Sequence, residues 1–490
     1  MSQLRFRPTL RLALLTLGLA VVGGIVPASQ GAVNGFVNFQ LAGVPLAPVG
    51  VTCPGASNCY NFAAEPQIRA DKLGRFFGAS ENGLSGGSDA WRSTDGGRHY
   101  TQLTSPDGAG LPATASGGDV DIAIAPDLNA TDHNYNVYVS SLNLASVYVA
   151  TSRNGGATWS VQNPVAADQS GADDREWLAA DESAKVCLSY HNGPQGIAVD
   201  CSYDAGKTFT QTTTAIDTGH AYQISNNLIG NLAIDHSERA RRDGTVYQIY
   251  SSITDATEAA CLNAGTCGYH AVFMAVSTDG GRTFTDHLVH NSSDATVTYG
   301  HQFPNVSVDA AGNVYAVYSD AHNLYYSYST DRGRTWSSPR RINTGPSNTA
   351  IMPWSAAGAD GKIDVVWYGS SYYDGVNPPD NYPNTASWKV YFAQNLSAHT
   401  AGSTFSQLAA TYVIHKGGVC LSGIACTGNR DLYDDFGVDA NPLTGLASII
   451  YSDDQWSQSP AQPGCTQTTT NTSKCNHTSI ATQTTGPGIY

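Results

Sequence analysis

The chain has 490 residues, with 25 Lys and Arg against 40 Asp and Glu, a formal net charge of -15, and no basic cluster to offset it. Such a field repels phosphate backbones and excludes nucleic acid as a partner. With 26 Tyr, 50 Gly and only 3 Met, and with Gly, Ser, Thr, Asn and Asp at short intervals, the composition favours a β protein with many turns.

In chain order, Arg5, Arg7 and Arg11 precede an apolar run from Leu12 to Val26 and small residues from Ala28 to Ala32. This is the layout of a secretory signal peptide, so residues 1–32 are set apart from the fold and 33–490 are expected to form one exported domain. Nothing later reaches the roughly eighteen uninterrupted apolar residues that a membrane span needs. The ten cysteines fall into close neighbours, Cys53 with Cys59, Cys187 with Cys201, Cys261 with Cys267, Cys420 with Cys426 and Cys465 with Cys475. Local disulfides are the simplest pairing in an exported chain, and the turn inside "LSYHNGPQGIAVD" places Cys187 and Cys201 across a hairpin.

Two repeats set the architecture. The first is Ser-x-Asp/Asn-x-Gly-x-Thr/His-aromatic, found as "STDGGRHY" from Ser93, "SRNGGATW" from Ser152, "SYDAGKTF" from Ser202, "STDGGRTF" from Ser277 and "STDRGRTW" from Ser329. Each copy lies between β-like runs and reads as a hairpin turn. The acidic or amide side chain accepts turn amides, glycine takes the positive φ, and the aromatic packs beneath. The second repeat comprises seven short strands, "EPQIRAD", "DVDIAIAP", "REWLAAD", "IGNLAID", "FPNVSVD", "MPWSAAG" and "YDDFGVD", each followed by a strand of the type "GNVYAVYS" and then a third. Units of roughly 50 to 80 residues built this way predict an all-β fold, a single β-propeller of seven four-stranded blades, or six if the last unit is an appendage. The last unit is one strand short, and "GFVNFQLAGV" from Gly35 is placed to supply it and close the ring.

In a propeller the first strand of each blade lines the channel. Registering the seven first strands puts Glu65, Asp119, Arg175, Ile229, Phe303, Met352 and Tyr433 at one position, and Pro66, Val120, Glu176, Gly230, Pro304, Pro353 and Asp434 at the next. Charge therefore gathers on blades 1, 2, 3 and 7, on one side of the channel mouth. Arg175, Glu176, Arg430, Asp434 and Asp435 read either as a catalytic cluster or as ion pairs tying the first strands together, the second being the blander account. Asp173, Asp174, Asp434 and Asp435 are the set that would suit Ca2+, though without EF-hand spacing, and no cofactor is required. The loop "GSSYYDGVNPPDNYPN" suits stacking against sugars or a rigid solvated turn, and His301 and His415 are expected on the same face.

The box closely resembles the Asp-box of the sialidase and BNR-repeat families, where it joins the two outer strands of a blade on the face away from the ligand. The resemblance implies three arginines holding a substrate carboxylate, a tyrosine nucleophile activated by a glutamate, and an aspartate acid/base. The families' Arg-Ile-Pro is missing, since Ala64 stands where its arginine would precede Pro66, Gln302 before Pro304 and Ile351 before Pro353. Arg69, Arg175 and Arg430 are the arginines left to form another anion clamp. Tyr373 or Tyr372, with Glu176 or Glu65, are the tyrosine and glutamate chosen by location on that face. Two functions stay open: a monomeric glycoside hydrolase of sialidase-like type acting on extracellular glycans or glycoproteins, and a non-catalytic propeller binding glycan or protein.

Overall fold

The computed structural model describes residues 31–41, 64–81, 87–106, 118–143, 146–162, 173–237, 244–300, 303–422, 426, 430, 432–455 and 476–490. The apolar run of residues 12–26, read as part of a signal peptide, His301 and the pairs Cys53–Cys59 and Cys465–Cys475 lie outside them, whereas Gly31 and Ala32, set apart with that run, pair with Asn38 and Val37 in a strand. Seven antiparallel sheets of four main strands form the blades, and their first strands are Ala64–Ala70, Val120–Leu128, Asp174–Asp181, Asn227–Ile234, Asn305–Val308, Thr349–Ala357 and Gly437–Ala440. Each packs against the first strand of the next blade, and the seventh packs against the first. The fold is a seven-bladed propeller, and the last unit is a full blade.

Ring closure is carried by Phe36–Gln40, which pairs antiparallel with His477–Gln483 from Phe36↔Gln483 to Gln40↔Ser479. Both faces of this strand are buried: Phe36 on one meets Phe392 of blade 6 at 5.1 Å between ring centroids, and Phe39 on the other joins the cluster of Ile68 and Trp91. Asn38 is buried between, donating to the Ala410 carbonyl at 2.9 Å and accepting from the Tyr451 hydroxyl at 3.0 Å.

The five boxes are the hairpins joining third and fourth strands of blades 1 to 5. In the copy at Ser277, Asp279 Oδ1 accepts the Ser277 hydroxyl at 2.7 Å and the amides of Arg282 and Thr283 at 3.1 and 2.9 Å, while Gly281 at φ 93° donates to Ser277 Oγ. Ala205 and Arg332 adopt the same left-handed conformation where two other copies lack the first glycine, so the hydrogen bonds outweigh the backbone cost. The aromatics Tyr100, Trp159, Phe209, Phe284 and Trp336 all pack against the core beneath. Three disulfides, Cys187–Cys201, Cys261–Cys267 and Cys420–Cys426, match the expected local pairing, and Cys187 and Cys201 face each other across a hairpin. No helix among the described residues is long and apolar enough to cross a membrane.

Neighbouring first strands lean on one another through side chains. Asp121 accepts the Leu178 amide at 2.7 Å, Asn231 the Val306 amide at 2.6 Å, Asn305 the Ser355 amide at 2.8 Å and Asp439 the Ala70 amide at 2.7 Å. Asp121, Asn231 and Asn305 are buried and Asp439 partly so, and a buried unmet donor or acceptor costs about 1–3 kcal/mol. Gly230 is required beside one of these contacts, because a Cβ there would stand 2.0 Å from the Pro304 carbonyl oxygen.

Two outcomes follow. Phe36→Ala should lose about 3–5 kcal/mol in urea unfolding of the processed protein, because it empties the joint that closes the ring. Burial alone would raise the carboxyls of Asp95, Asp204, Asp279 and Asp331, but the hydrogen bonds of the boxes outweigh it and hold them below the ordinary 3.8, Asp331 at about 2. Groups depressed in the folded state stabilise above their unfolded value, so thermal midpoints should fall as pH drops from about 4 towards 2, less steeply in Asp331→Asn.

Candidate active site at the channel mouth

The matched position at the start of the first strands has an unusual backbone. Glu65, Arg175, Met352 and Tyr433 all have positive φ, 51°, 57°, 53° and 56°, and strand register breaks there in blades 1, 3 and 6. A left-handed conformation at a non-glycine residue costs on the order of 1–3 kcal/mol, so its repetition marks a bulge that the ring enforces. The mouth is lined there by Glu65 of blade 1 and by successive residues of blades 3 and 7, Arg175 with Glu176 and Asp434 with Asp435.

The charged ones meet across the channel. Arg175 of blade 3 reaches Asp434 of blade 7 at 3.3 Å and Asp174 at 3.4 Å. Arg430 reaches the same Asp434 oxygen at 3.1 Å and Glu65 of blade 1 at 3.5 Å. Arg175 lies over the Phe303 ring at 4.6 Å and Arg430 over the Tyr433 ring at 5.2 Å. Beneath them a cavity of about 10 Å³, lined by Glu65, Asp119, Val120, Arg175, Glu176, Trp177, Phe303, Asp434 and Asp435, has room for one water-sized group.

Carboxyls outnumber guanidinium groups here, with Glu65, Asp119, Asp174, Glu176, Asp434 and Asp435 facing Arg175 and Arg430. Burial, reinforced by Asp119, holds Glu65, Glu176 and Asp435 well above the ordinary carboxyl range. Glu65 and Asp119 are joined by a side-chain hydrogen bond, which also raises the Glu65 carboxyl. Asp174, half-exposed at the rim, is pushed up to about 6 by partial burial and the charge of Asp119. A carboxyl in that range and in reach of solvent can give or take a proton near neutral pH.

The next layer plugs the channel. Gln67 donates to Asp435 at 3.1 Å, and Trp177 packs on Phe303 and Trp354 at 5.5 and 5.4 Å. Arg69 lies over Trp354 at 5.1 Å and pairs with Asp121 at 3.1 Å. Beyond this plug a larger cavity of about 310 Å³ opens, walled largely by Ala70, Ala123, Ala125, Ala179, Ala180 and Ala356. The carboxyls held well above their ordinary range, Glu65, Glu176 and Asp435, stand at the smaller cavity, which makes it the candidate site despite its size.

Of the residues singled out in the sequence, Glu65, Arg175, Glu176 and Arg430 are brought together at the mouth. Arg69 sits one layer deeper, on Asp121. Tyr373 belongs to the loop between the second and third strands of blade 6, 42% exposed, its ring stacked on His322 at 3.8 Å; it is not among the residues lining the mouth. The tyrosine beside Arg430 is Tyr433, which the register of first strands had already aligned with Glu65 and Arg175. His415 is fully buried between the Asp454 carboxylate at 2.7 Å and the Gly418 carbonyl at 3.0 Å. Asp173 accepts from Asn192, Asp174 faces Arg175, Asp434 serves two arginines and Asp435 accepts from Gln67. Among the described residues, ligand atoms converge closely enough for an ion at Asp217, His220 and Asp286 and at Asp309, Asp360 and His399, not at those four.

Residues 143–366 match the family model described as a BNR repeat-like domain. With the five boxes and seven blades, this match supports a BNR-repeat, sialidase-like β-propeller. No curated protein matches the sequence. Solved structures similar to the chain include the GH74 xyloglucanase of Xanthomonas campestris, with 13% identity over 86% of this chain and 55% of that one and a TM-score of 0.45. The GH93 α-L-arabinofuranosidase of Fusarium graminearum shows 13% identity over 77% and 99%, TM-score 0.43. The fucose-specific lectin of Aleuria aurantia shows 12% over 71% and 95%, TM-score 0.40.

Because Glu176 titrates higher folded than unfolded, its ionisation opposes folding as pH rises above the ordinary 4.5. Glu176→Gln should therefore stabilise the protein by a margin that grows with pH, up to about 1.4 kcal/mol per pH unit between 5 and 7. Urea midpoints at several pH values would measure it, and a margin independent of pH would show that Glu176 is ionised in the folded state.

Proposed function

We propose that this is an exported propeller that acts on extracellular glycans at the channel mouth as an exo-glycoside hydrolase, with Asp174 as its proton-transferring group. The observation that carries this reading is the rim carboxyl of Asp174, raised to about 6 and half in solvent, above carboxyls that burial keeps protonated. Acid and base roles are split between groups whose surroundings push them apart. A pocket that closes on Trp177 and Trp354 suits a chain end better than a chain passing through, which supports exo action. Export is supported by the N-terminal pattern and the disulfides, which persist in oxidising compartments.

Sialic acid fits this mouth less well than a sugar without a carboxylate. Both guanidinium groups are already held by Asp434, and an anion would add to an excess of carboxyls. The same pairing favours the second reading, a glycan-binding propeller without chemistry.

Hydrolysis of chromogenic glycosides by the processed protein, with neutral sugars, amino sugars and a sialoside in the panel, decides between them. Release from a member other than the sialoside, reduced about 10²–10⁴-fold in Asp174→Asn, is expected. Release from none, with retention on a glycan array, would establish the binding propeller instead.

A further inference from the structure

Resting on the glycan reading above, we infer that the mouth selects a cationic group, the primary ammonium of an amino sugar, and that Glu176 is its principal ligand. Glu176 is only 2% exposed, and beyond its own backbone amide neither of its carboxyl oxygens has a hydrogen-bond partner. Glu176 lines the cavity, as does Asp435, whose Oδ1 is likewise unmatched and buried. Buried polar atoms are ordinarily bonded, so acceptors gathered at one void point to a donor that enters it.

Size, charge and wall chemistry narrow that donor. The void of about 10 Å³ takes one water-sized group, and an ammonium is of that size. Six carboxyls against two guanidinium groups disfavour an anion, and a cation, unlike a hydroxyl, would favour ionisation of the carboxyls that burial keeps protonated. The walls are Trp177 and Phe303, and ring faces attract cations when water is excluded. The chain already uses that attraction, since its own Arg175 lies 4.6 Å over Phe303. A metal ion fits less well, because the mouth carboxyl oxygens are not among the groups that converge to ion-binding distance. The carboxyls that burial keeps protonated would ionise beside an ammonium, so its entry releases protons.

The test is titration calorimetry of the full processed protein with three oligosaccharides of one backbone, bearing a free amine, an N-acetyl group or a hydroxyl, and with CaCl2 and methylammonium chloride as separate arms. The amine form is expected to bind at least about tenfold more tightly than the other two, with a heat that changes with the ionisation enthalpy of the buffer. That preference should collapse in Glu176→Gln, and in Asp435→Asn if the first variant fails to fold. Equal affinity for all three sugars overturns the inference but leaves the glycan reading standing. Binding of none of them overturns both, even if methylammonium binds. Saturable calcium binding that Glu176→Gln abolishes, without preference for the amine, also overturns it in favour of a metal at the same carboxyls.

Discussion

The structure depends on side-chain oxygens that cross from one blade to the next. Backbone pairing stops at the edge of each sheet, so the seven first strands are joined around the channel by other means. Asp121, Asn231, Asn305 and Asp439 each accept an amide of the following blade, the first three out of water, where such bonds are costly to leave unmade. Three of these acceptors stand at the same register position, and in blades 1 and 7 that position is taken by the bonded pair Gln67 and Asp435. In blades 3 and 6 it is taken by Trp177 and Trp354, which pack together. One layer of residues thus both fastens the ring and forms the floor of the mouth.

That economy explains why the mouth is so acidic. Asp121 holds the Leu178 amide and Arg69 at once, and Asp434 holds Arg175 and Arg430 at once, so guanidinium groups are consumed by structure. The carboxyls left over cannot all ionise in a shared, poorly hydrated space, and burial together with Asp119 decides which stay protonated. The arrangement resembles an ion-paired joint around a small reactive surplus more than an anion clamp.

Most of the architecture was legible because repetition amplifies weak signals. A single "STDGGRTF" is a turn, whereas five copies between β runs define hairpins at known places in a blade. Seven first strands, aligned on their closing residue, located the mouth and the side on which charge gathers. Pairings were not legible. Arg175 and Asp434 lie on blades 3 and 7, and only the closed ring shows that they touch across the channel. The two tyrosines stand differently for a related reason. Tyr373 stood out in an aromatic loop, while Tyr433 sat without emphasis in a column with Glu65 and Arg175, its left-handed backbone invisible in the sequence. His415 looked accessible in a long loop, but a carboxylate and a carbonyl enclose it.

The closing strand carries a consequence for assembly. Residues 36–40 are made early, yet their partner 477–483 is nearly the whole chain away, so the pairing carries a large loop-closure entropy and a long delay. Until it forms, blade 7 presents an open sheet edge with unspent amides and carbonyls, and the early strand has no docking place. An edge and a strand that match each other in one molecule match equally well between two. At high concentration the ring therefore has an alternative ending, in which each copy lends its strand to the other and a domain-swapped pair forms without any new interface chemistry.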